Sequence, residues 1–244
     1  MTAKNNLCEF LEWDSDFFGF RIARLTEEKL TPETMKNVLR WCNENRIDCL
    51  YFLADAADFQ TTRLAEKHGF HLTDTRITLE TVLKNFQPDE TATEVSVSEA
   101  VPEDVEQLKK IAARNHRDSR FYYDGRFPAE KCDELFALWI EKSCKGYADV
   151  VLTAKKDSKV QGYITCSIDE RNDGSIGLVG VAKDSQGTGI GKLLINSAKH
   201  WFGEKNVSRI TVVTQGRNVK AQRLYQNNGF ITKSLKNWYH LWFV

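Results

Sequence analysis

The chain carries no net charge and no long apolar run, and both absences narrow its function. Among its 244 residues, 34 lysines and arginines balance 34 aspartates and glutamates. This balance gives no basic field that would attract nucleic acid or acidic lipid, so we expect neither a nucleic acid nor a membrane as a partner. No segment approaches the roughly 18 consecutive apolar residues of a membrane-spanning helix. The first residues lead into no apolar signal segment, so we expect a cytoplasmic protein.

The cysteines and histidines form no metal-binding motif. The six cysteines include no Cys-x-x-Cys pair, and the five histidines form no His-Glu-x-x-His arrangement. Most cysteines lie in apolar surroundings, as Cys49 does, which is typical of reduced and buried thiols. The sequence therefore predicts no metal site.

Strand-like and helix-like patterns alternate along the chain, and one polar stretch interrupts them. This stretch, 84–93, contains Pro88 and predicts a linker between a smaller N-terminal part, 1–83, and a larger part, 94–244. Residues 7–25 read as a strand, a tight turn and a second strand. Thr31 followed by Pro32 predicts a helix start. The larger part reads as α+β, with a mixed sheet flanked by helices.

A short repeat links the two parts. The pattern Arg63-Leu-x-x-x-x-Gly69-Phe70 recurs 160 positions later as Arg223-Leu-x-x-x-x-Gly229-Phe230. In each copy a helix is expected to end at the glycine, and a strand to begin at the phenylalanine. A common helix stop can produce the same pattern by coincidence. We favour an N-terminal part that resembles a partial copy of the C-terminal fold, without its glycine-rich loop.

That loop is the most informative stretch of the sequence. An apolar run from Ile176 is followed by glycines at 187, 189 and 191 and then by a helical pattern. Glycine lets backbone N–H groups converge on a ligand, and a helix N-terminus favours negative charge. The stretch therefore predicts a site for a phosphate-bearing cofactor. A glycine-rich turn without a ligand is the alternative.

Two familiar phosphate motifs do not fit the loop. A P-loop requires Ser or Thr after Gly-Lys, but Leu193 follows Gly191-Lys192. A dinucleotide fingerprint requires Gly-x-Gly-x-x-Gly, whereas the spacing here is Gly-x-Gly-x-Gly. The pattern from Gln186 to Gly191 instead resembles the pyrophosphate loop of the GCN5-related N-acetyltransferases. That resemblance implies acetyl-CoA as the co-substrate.

The end of the chain supplies residues for acetyl transfer. The reaction requires a polarised thioester carbonyl, a neutral amine and a proton for the leaving thiolate. Backbone N–H groups of a splayed strand at Leu178 to Val181 can polarise the carbonyl, although a simple bulge is the alternative. Tyr225 lies seven residues after Asn218, so both share one helix face. A phenol is protonated at neutral pH and can serve as the acid, although a half-buried structural tyrosine is the alternative.

The stretch from Thr214 to Phe230 resembles the C-terminal motif of the same superfamily. The stretches 13–19, 119–121 and 138–141 are similar, more narrowly, to the dTDP-fucosamine acetyltransferase family, which acetylates the 4-amino group of a dTDP-4-amino-4,6-dideoxyhexose for bacterial surface polysaccharide. The resemblance implies that 94–244 is catalytic and that the N-terminal part lies on the sugar-nucleotide side. It assigns the general acid to Tyr225. It assigns cofactor contacts to Leu178, Val179, Gly180, Val181, Gln186, Gly187, Thr188, Gly189, Ile190, Gly191, Lys192, Asn218 and Arg223.

Acceptor contacts and the general base are less defined. The segment 115–127 contains Arg120, Tyr122 and Tyr123, which are candidate partners for a diphosphate or a base. A loop that packs its own aromatic residues is the alternative. Asp169 and Glu170 follow a strand near the expected cleft, but a water relay leaves no base to find. A peptide amine acetyltransferase and a non-catalytic acyl-CoA-binding module remain alternative functions, and the resemblance implies a possible homodimer.

Overall fold

The computed structural model describes residues 7–83 and 94–243, whose strands form one ten-stranded mixed sheet. The strands are β1 (Cys8–Phe10), β2 (Ile22–Leu25), β3 (Cys49–Asp55), β4 (His71–Val82), β5 (Ser96–Glu99), β6 (Val150–Lys156), β7 (Lys159–Ile168), β8 (Gly174–Val181), β9 (Arg209–Gln215) and β10 (Ile231–Trp242). The helices are α1 (Glu12–Phe18), α2 (Pro32–Glu44), α3 (Phe59–Lys67), α4 (Val105–Asn115), α5 (Arg120–Asp124), α6 (Ala129–Lys142), α7 (Ile190–Glu204) and α8 (Val219–Asn227). The order along the sheet is β1-β2-β3-β10-β4-β9-β8-β7-β6-β5. The predicted α+β fold with a mixed sheet is confirmed.

The start of α2 follows the sequence prediction, and the start of the chain does not. Thr31 caps α2, because its hydroxyl accepts a hydrogen bond of 3.0 Å from the backbone N–H of Thr34. The tight turn expected between the first two strands is instead the seven-residue helix α1. Stacking of Trp13 on Phe17, one helical turn apart, and a left-handed Gly19 at the C-terminus favour that helix.

The repeat extends far beyond the short motif that revealed it. Lys236 of β10 lies opposite Asp55 of β3, and Arg76 of β4 lies opposite Gln215 of β9. Both pairings are related by the same shift of 160 residues, which also carries β3 onto β9 and β4 onto β10. We call β1–β4 with α2 and α3 the N-terminal repeat, and β7–β10 with α7 and α8 the C-terminal repeat. The expected partial copy of the fold is therefore confirmed.

The two repeats share one sheet because their last strands pair with each other. Strands β4 and β10 are antiparallel neighbours, and Lys236 lies opposite its own equivalent, Arg76. An approximate two-fold axis therefore passes between these residues. The expected linker, 84–93, lies outside the described residues, and the boundaries at 83 and 94 stay a prediction.

Helices cover both faces of the sheet. Buried residues of α2 pack on the N-terminal repeat and buried residues of α7 on the C-terminal repeat, on one face. The other face carries α1, α4, α5 and α6 over a second core that includes Ile22, Tyr51 and Tyr163. This second core joins strands of the N-terminal repeat to β7 of the C-terminal repeat. The surface between α1 and α6 is therefore built from both repeats.

Candidate active site

The glycine loop leads directly into the N-terminus of α7. Gly187 and Gly189 adopt positive φ angles of 80° and 92°, a backbone region that glycine occupies without strain. Gly189 is the N-cap residue and provides no side chain to satisfy the first-turn N–H groups, which lack partners within the helix. A Cβ added to either glycine would meet no atom within 4 Å. The geometry fits a bound pyrophosphate, with exposed Lys192 in the first turn.

Strand β8 separates from its neighbour next to this loop. It pairs with β9 over Gly174–Ile176; among the described residues, Val179–Val181 pair with β7 alone, and Gly177 and Leu178 lie in a register shift. The register between β7 and β8 shifts opposite Thr165, whose hydroxyl accepts a hydrogen bond of 2.8 Å from the N–H of Leu178. The strand is therefore both bulged and splayed, and its role in polarising a carbonyl stays a prediction.

The bulge decides which backbone N–H groups face the opening between β8 and β9. The N–H of Leu178 is directed at β7, and so is that of Ala182, which donates to Gln161 at 2.8 Å. Because backbone groups alternate sides along a strand, the N–H groups of Val179 and Val181 face the opening. These two amides, rather than those of Leu178 and Gly180, are placed to meet a carbonyl there.

Tyr225 of α8 is buried in the core of the C-terminal repeat. It packs in one core cluster with Val179, Val181 and Ile190, and its ring contacts Phe230 at a centroid distance of 5.8 Å. Burial raises the pKa of Tyr225 above its usual value, which keeps the phenol protonated at neutral pH. A protonated phenol in the core cluster that also includes side chains of β8 suits the role of an acid.

The positions of Asn218 and Arg223 indicate a cofactor contact less clearly than that of the glycine loop. Asn218 precedes α8 as its N-cap, where its side-chain oxygen accepts a 3.1 Å hydrogen bond from the N–H of Ala221. A cofactor contact would therefore use the amide nitrogen of Asn218. Arg223 is exposed on α8.

A cavity of about 620 Å³ opens on the other face of β8, between the N-terminal repeat and α6. Its walls come from distant parts of the chain. They include Trp13, Asp14, Arg24, Tyr51, Arg120, Trp139, Lys142, Tyr147, Gly177, Leu178 and Trp238. A molecule in this cavity would lie against the splayed strand, on the side that Leu178 faces.

Arg120 is held at the cavity wall by a chain of buried hydrogen bonds. One of its guanidinium nitrogens lies 2.8 Å from Nε2 of His240, and Nδ1 of His240 lies 2.5 Å from a carboxylate oxygen of Asp124. Burial lowers the pKa of His240 to about 4, so its Nε2 accepts from Arg120 while its Nδ1 donates to Asp124. The Arg120 guanidinium also lies 4.1 Å from the ring centroid of Tyr51.

The other residues expected near the acceptor lie elsewhere. The hydroxyl of Tyr122 donates to Asp133 of α6, and the ring of Tyr123 lies against the guanidinium of Arg217 at 3.7 Å. Neither is among the residues that line the cavity. Asp169 accepts hydrogen bonds from the N–H groups of Arg171 and Asp173, so its carboxylate shapes the β7–β8 turn.

Local sequence patterns do not assign several of the lining residues to an acceptor site, although Trp13 and Asp14 lie in the stretch 13–19 that resembles a sugar acetyltransferase family. Asp14 belongs to the stretch expected to be a turn, and Trp13, Tyr51 and Trp238 lie on expected strands. The aromatic and acidic residues around Asp14 are the one sequence feature that indicates a binding surface here. Their role in the cavity depends on contacts with residues more than 100 positions away.

A sequence model described as the acetyltransferase (GNAT) family matches residues 111–230, which contain β8, the glycine loop, α7 and α8. The chain belongs to this family. It is a GNAT N-acetyltransferase family enzyme, and membership implies that it uses acetyl-CoA. The glycine loop and the opening of β8 fit that cofactor.

Two curated relatives belong to polysaccharide or sugar metabolism by name. The dTDP-fucosamine acetyltransferase of Escherichia coli O6:H1 is 25% identical over 94% of this chain and 96% of its own length. The spore coat polysaccharide biosynthesis protein SpsD of Bacillus subtilis is 28% identical over 58% of this chain. The matched part spans only about half of SpsD, 48% of its length. The chain is thus distantly similar to sugar N-acetyltransferases of polysaccharide synthesis.

A solved structure shares the tandem organisation of the fold. A tandem GNAT protein from the clavulanic acid biosynthesis pathway superposes with a TM-score of 0.62 and 12% identity, over 91% of this chain and 75% of that one. Within 7–83 and 94–243, no three His, Cys, Asp or Glu side chains cluster as metal ligands. Over the same ranges, no helix has the length and hydropathy needed to cross a membrane.

Proposed function

We propose that the protein transfers the acetyl group of acetyl-CoA to the amino group of a nucleotide-linked sugar of the dTDP-4-amino-4,6-dideoxyhexose type. The observation that carries the proposal is the cavity between α1 and α6, which meets the splayed strand at Gly177 and Leu178. Its volume of about 620 Å³ is in the range of small-molecule sites. The similarity to a dTDP-fucosamine acetyltransferase supports the same acceptor.

The lining of the cavity suits a sugar nucleotide. Trp13, Trp139 and Tyr147 provide aromatic surfaces for a base or a sugar, and the side chain of Tyr147 is 84% exposed. Arg24, Arg120 and Lys142 provide positive charge for a diphosphate. This mixture of aromatic and cationic groups is the main support for a nucleotide-linked acceptor over a simple amine.

The cofactor would be held on the opposite side of β8. Residues 186–192 would bind its pyrophosphate through the N-terminus of α7. The N–H groups of Val179 and Val181 would polarise the thioester carbonyl. When bound, acetyl-CoA supplies the acetyl group and the thiol leaving group. Tyr225 would donate its phenolic proton to the sulfur as the C–S bond breaks.

The acceptor is tested by acetyl-CoA consumption across a panel of amines. We expect turnover with a dTDP-4-amino-4,6-dideoxyhexose and much weaker turnover with the free amino sugar or with a peptide amine. Preference for the peptide would replace the sugar-nucleotide assignment by a peptide acetyltransferase. Binding of acetyl-CoA without turnover of any amine would indicate a non-catalytic acyl-CoA-binding module.

The acid role is tested with Tyr225→Phe. We expect kcat to fall by about 10²–10⁴-fold, with little change in the affinity for acetyl-CoA, because the missing hydroxyl acts only when sulfur leaves. The loss of kcat in Tyr225→Phe should be smaller with a thioester of a more acidic thiol, because that thiol leaves as a thiolate without taking up a proton. Tyr239→Phe is the control, since Tyr239 is an almost fully buried tyrosine of β10 that packs in a different core, with Leu50 and Phe52 of β3. Unchanged kcat in Tyr225→Phe would remove this residue from the acid role.

A further inference from the structure

The proposed acceptor cavity contains a single acidic group among its described lining residues. That group is the carboxylate of Asp14, which α1 presents next to Trp13. The other titratable or charged side chains that line the cavity come from four different elements and from the segment after α6. They are Arg24 of β2, Tyr51 of β3, Arg120 of α5, Lys142 of α6 and Tyr147. An acceptor amine that enters as an ammonium is therefore attracted to Asp14 and repelled by the other charges.

The surroundings of Asp14 give it an unusual affinity for a proton. Burial raises the pKa of its carboxyl group, and the charges of Arg120 and Arg24 lower it only in part. Both arginines also interact with other groups. Arg24 forms a 2.7 Å ion pair with Glu9, and Arg120 is hydrogen-bonded to His240. Asp14 is thus half-buried and close to two cations that are shared with other partners.

The neighbouring Tyr51 adds a second polar group of the kind that a hydroxylated acceptor would use. Its ring is almost fully buried, with 1% of its surface exposed. Its hydroxyl is also buried, and the nearby cation is Arg120, whose guanidinium lies 4.1 Å from the ring centroid of Tyr51. A ligand group that accepts a hydrogen bond from this hydroxyl would gain affinity. Tyr51 and Asp14, which interact electrostatically, therefore provide the cavity lining with two groups suited to a polar acceptor.

We propose that Asp14 is the general base that takes a proton from the acceptor ammonium. This inference rests on the proposed function, because it requires an amine in the cavity. The ammonium gives one proton to the Asp14 carboxylate, and the freed electron pair forms the C–N bond at the thioester carbonyl carbon. The C–S bond breaks, and the sulfur takes the proton of Tyr225. The second proton lost by nitrogen passes through water to restore Tyr225, and Asp14 releases its proton to solvent.

The test compares Asp14→Asn with Asp16→Asn across a range of pH. Asp16 lies two residues further along α1 and is exposed, so its variant controls for the loss of a charge from this helix. At neutral pH and saturating acceptor, we expect kcat of Asp14→Asn to fall by about 10²-fold or more. The difference in kcat between Asp14→Asn and the wild type should decrease as pH rises, because the amine then loses its proton to solvent. Asp16→Asn should keep the wild-type profile.

A second variant tests whether Asp14→Asn loses activity only because its structure is disturbed. Asp14→Ala leaves space in the cavity, so added formate should restore part of the lost rate by acting as an external base, and thermal unfolding checks that both variants fold. A raised KM with unchanged kcat in Asp14→Asn would overturn the base role and leave Asp14 as an ammonium-binding residue. Formate that restores nothing to a folded Asp14→Ala would also overturn it.

The same measurements separate this proposal from the proposed function. If the wild-type protein acetylates no amine of the panel, the transferase assignment fails, and the base role fails with it. If the wild-type protein is active and Asp14→Asn keeps its kcat, the transferase assignment stands and only the base role is overturned.

Discussion

His240 lies in the core with none of its surface exposed, between the cation of Arg120 and the carboxylate of Asp124. Burial would raise the pKa of Asp124, but the hydrogen bonds from His240 and Trp242 outweigh it and lower that pKa. The histidine remains neutral and links the two charges. It can thereby orient Arg120 at the cavity without adding charge to it.

The neutral state of His240 makes the stability of the protein depend on pH. The folded-state pKa is about 4 and the unfolded value about 6.5, so between these values the unfolded chain binds a proton that the folded chain does not. This contribution is complete above about pH 6.5 and decreases as pH falls towards 4. We expect a loss on the order of a few kcal/mol, measured as the free energy of unfolding in urea.

The matched variant is His240→Gln, whose amide can accept from Arg120 and donate to Asp124. Its unfolding free energy should change less between pH 7 and pH 5 than that of the wild type. His200→Gln, at an exposed position of α7, should keep the wild-type slope. The slopes of unfolding free energy against pH are compared between variants because Asp74 also contributes to them. Burial raises the pKa of Asp74 to about 6, so this group increases stability as pH falls, opposite to His240. Equal slopes in the wild type and His240→Gln would contradict the prediction.

The sequence predicts those site residues whose roles follow from local spacing. Gly187, Gly189 and Tyr225 occur in patterns that a loop and a single helix impose, so their positions could be predicted. The hydrogen-bonded chain of Arg120, His240 and Asp124 could not be predicted, because His240 is 120 positions from Arg120 and 116 from Asp124. Only the docking of α5 on the strands creates that contact.

At the scale of elements, glycines shape strand β8. A Cβ at Gly180 would lie 2.5 Å from the ring of Tyr163, and one at Gly177 would lie 2.7 Å from the hydroxyl of Thr165. The second position matters because that hydroxyl holds the N–H of Leu178. Both glycines therefore allow β8 to approach β7 closely while it separates from β9.

Gly180→Ala should lower both stability and cofactor affinity. The added methyl group displaces either Tyr163 or the strand, which costs about 1–3 kcal/mol of unfolding free energy. Gly203→Ala on α7 is the control, because a Cβ there meets no atom within 4 Å, and we expect it to be neutral or slightly stabilising. Thermal unfolding and acetyl-CoA titration check both variants. An unchanged melting temperature in Gly180→Ala would show that β8 accommodates the methyl group.

Helices and strands could be predicted where a cap residue or a continuous apolar face specifies them. Thr31 and the buried stripe of α2 specified that helix, and the apolar runs specified β3 and β9. Helix α1 was missed because seven residues are too few to show a period, and because it is stabilised by contacts such as Phe18 with Phe121. The order of strands in the sheet has no local signal at all.

At the scale of the molecule, the two repeats form one sheet through β10. This strand pairs with β3 on one side and β4 on the other, so it lies inside the N-terminal repeat. Strand β4 in turn pairs with β9. The repeats therefore stabilise each other across three consecutive strand interfaces.

The fragments 1–83 and 94–244 should not fold cooperatively on their own. The larger fragment would lose both neighbours of β10, and the smaller would lose the strand between β3 and β4. Mixed together, they should regain the circular dichroism spectrum and the acetyl-CoA binding of the whole chain. A full-length chain cleaved within 84–93 after folding should stay assembled. Cooperative unfolding of 94–244 alone would contradict this prediction and support an autonomous catalytic domain.

The position of β10 also bears on how the protein is made. A ribosome releases β3 and β4 long before residues 231–242 exist, so the edges of these two strands cannot acquire their common neighbour during most of translation. Unpaired strand edges are templates for association with other chains. The nascent N-terminal repeat should therefore depend on chaperones, and slower translation would prolong its exposure rather than help it fold.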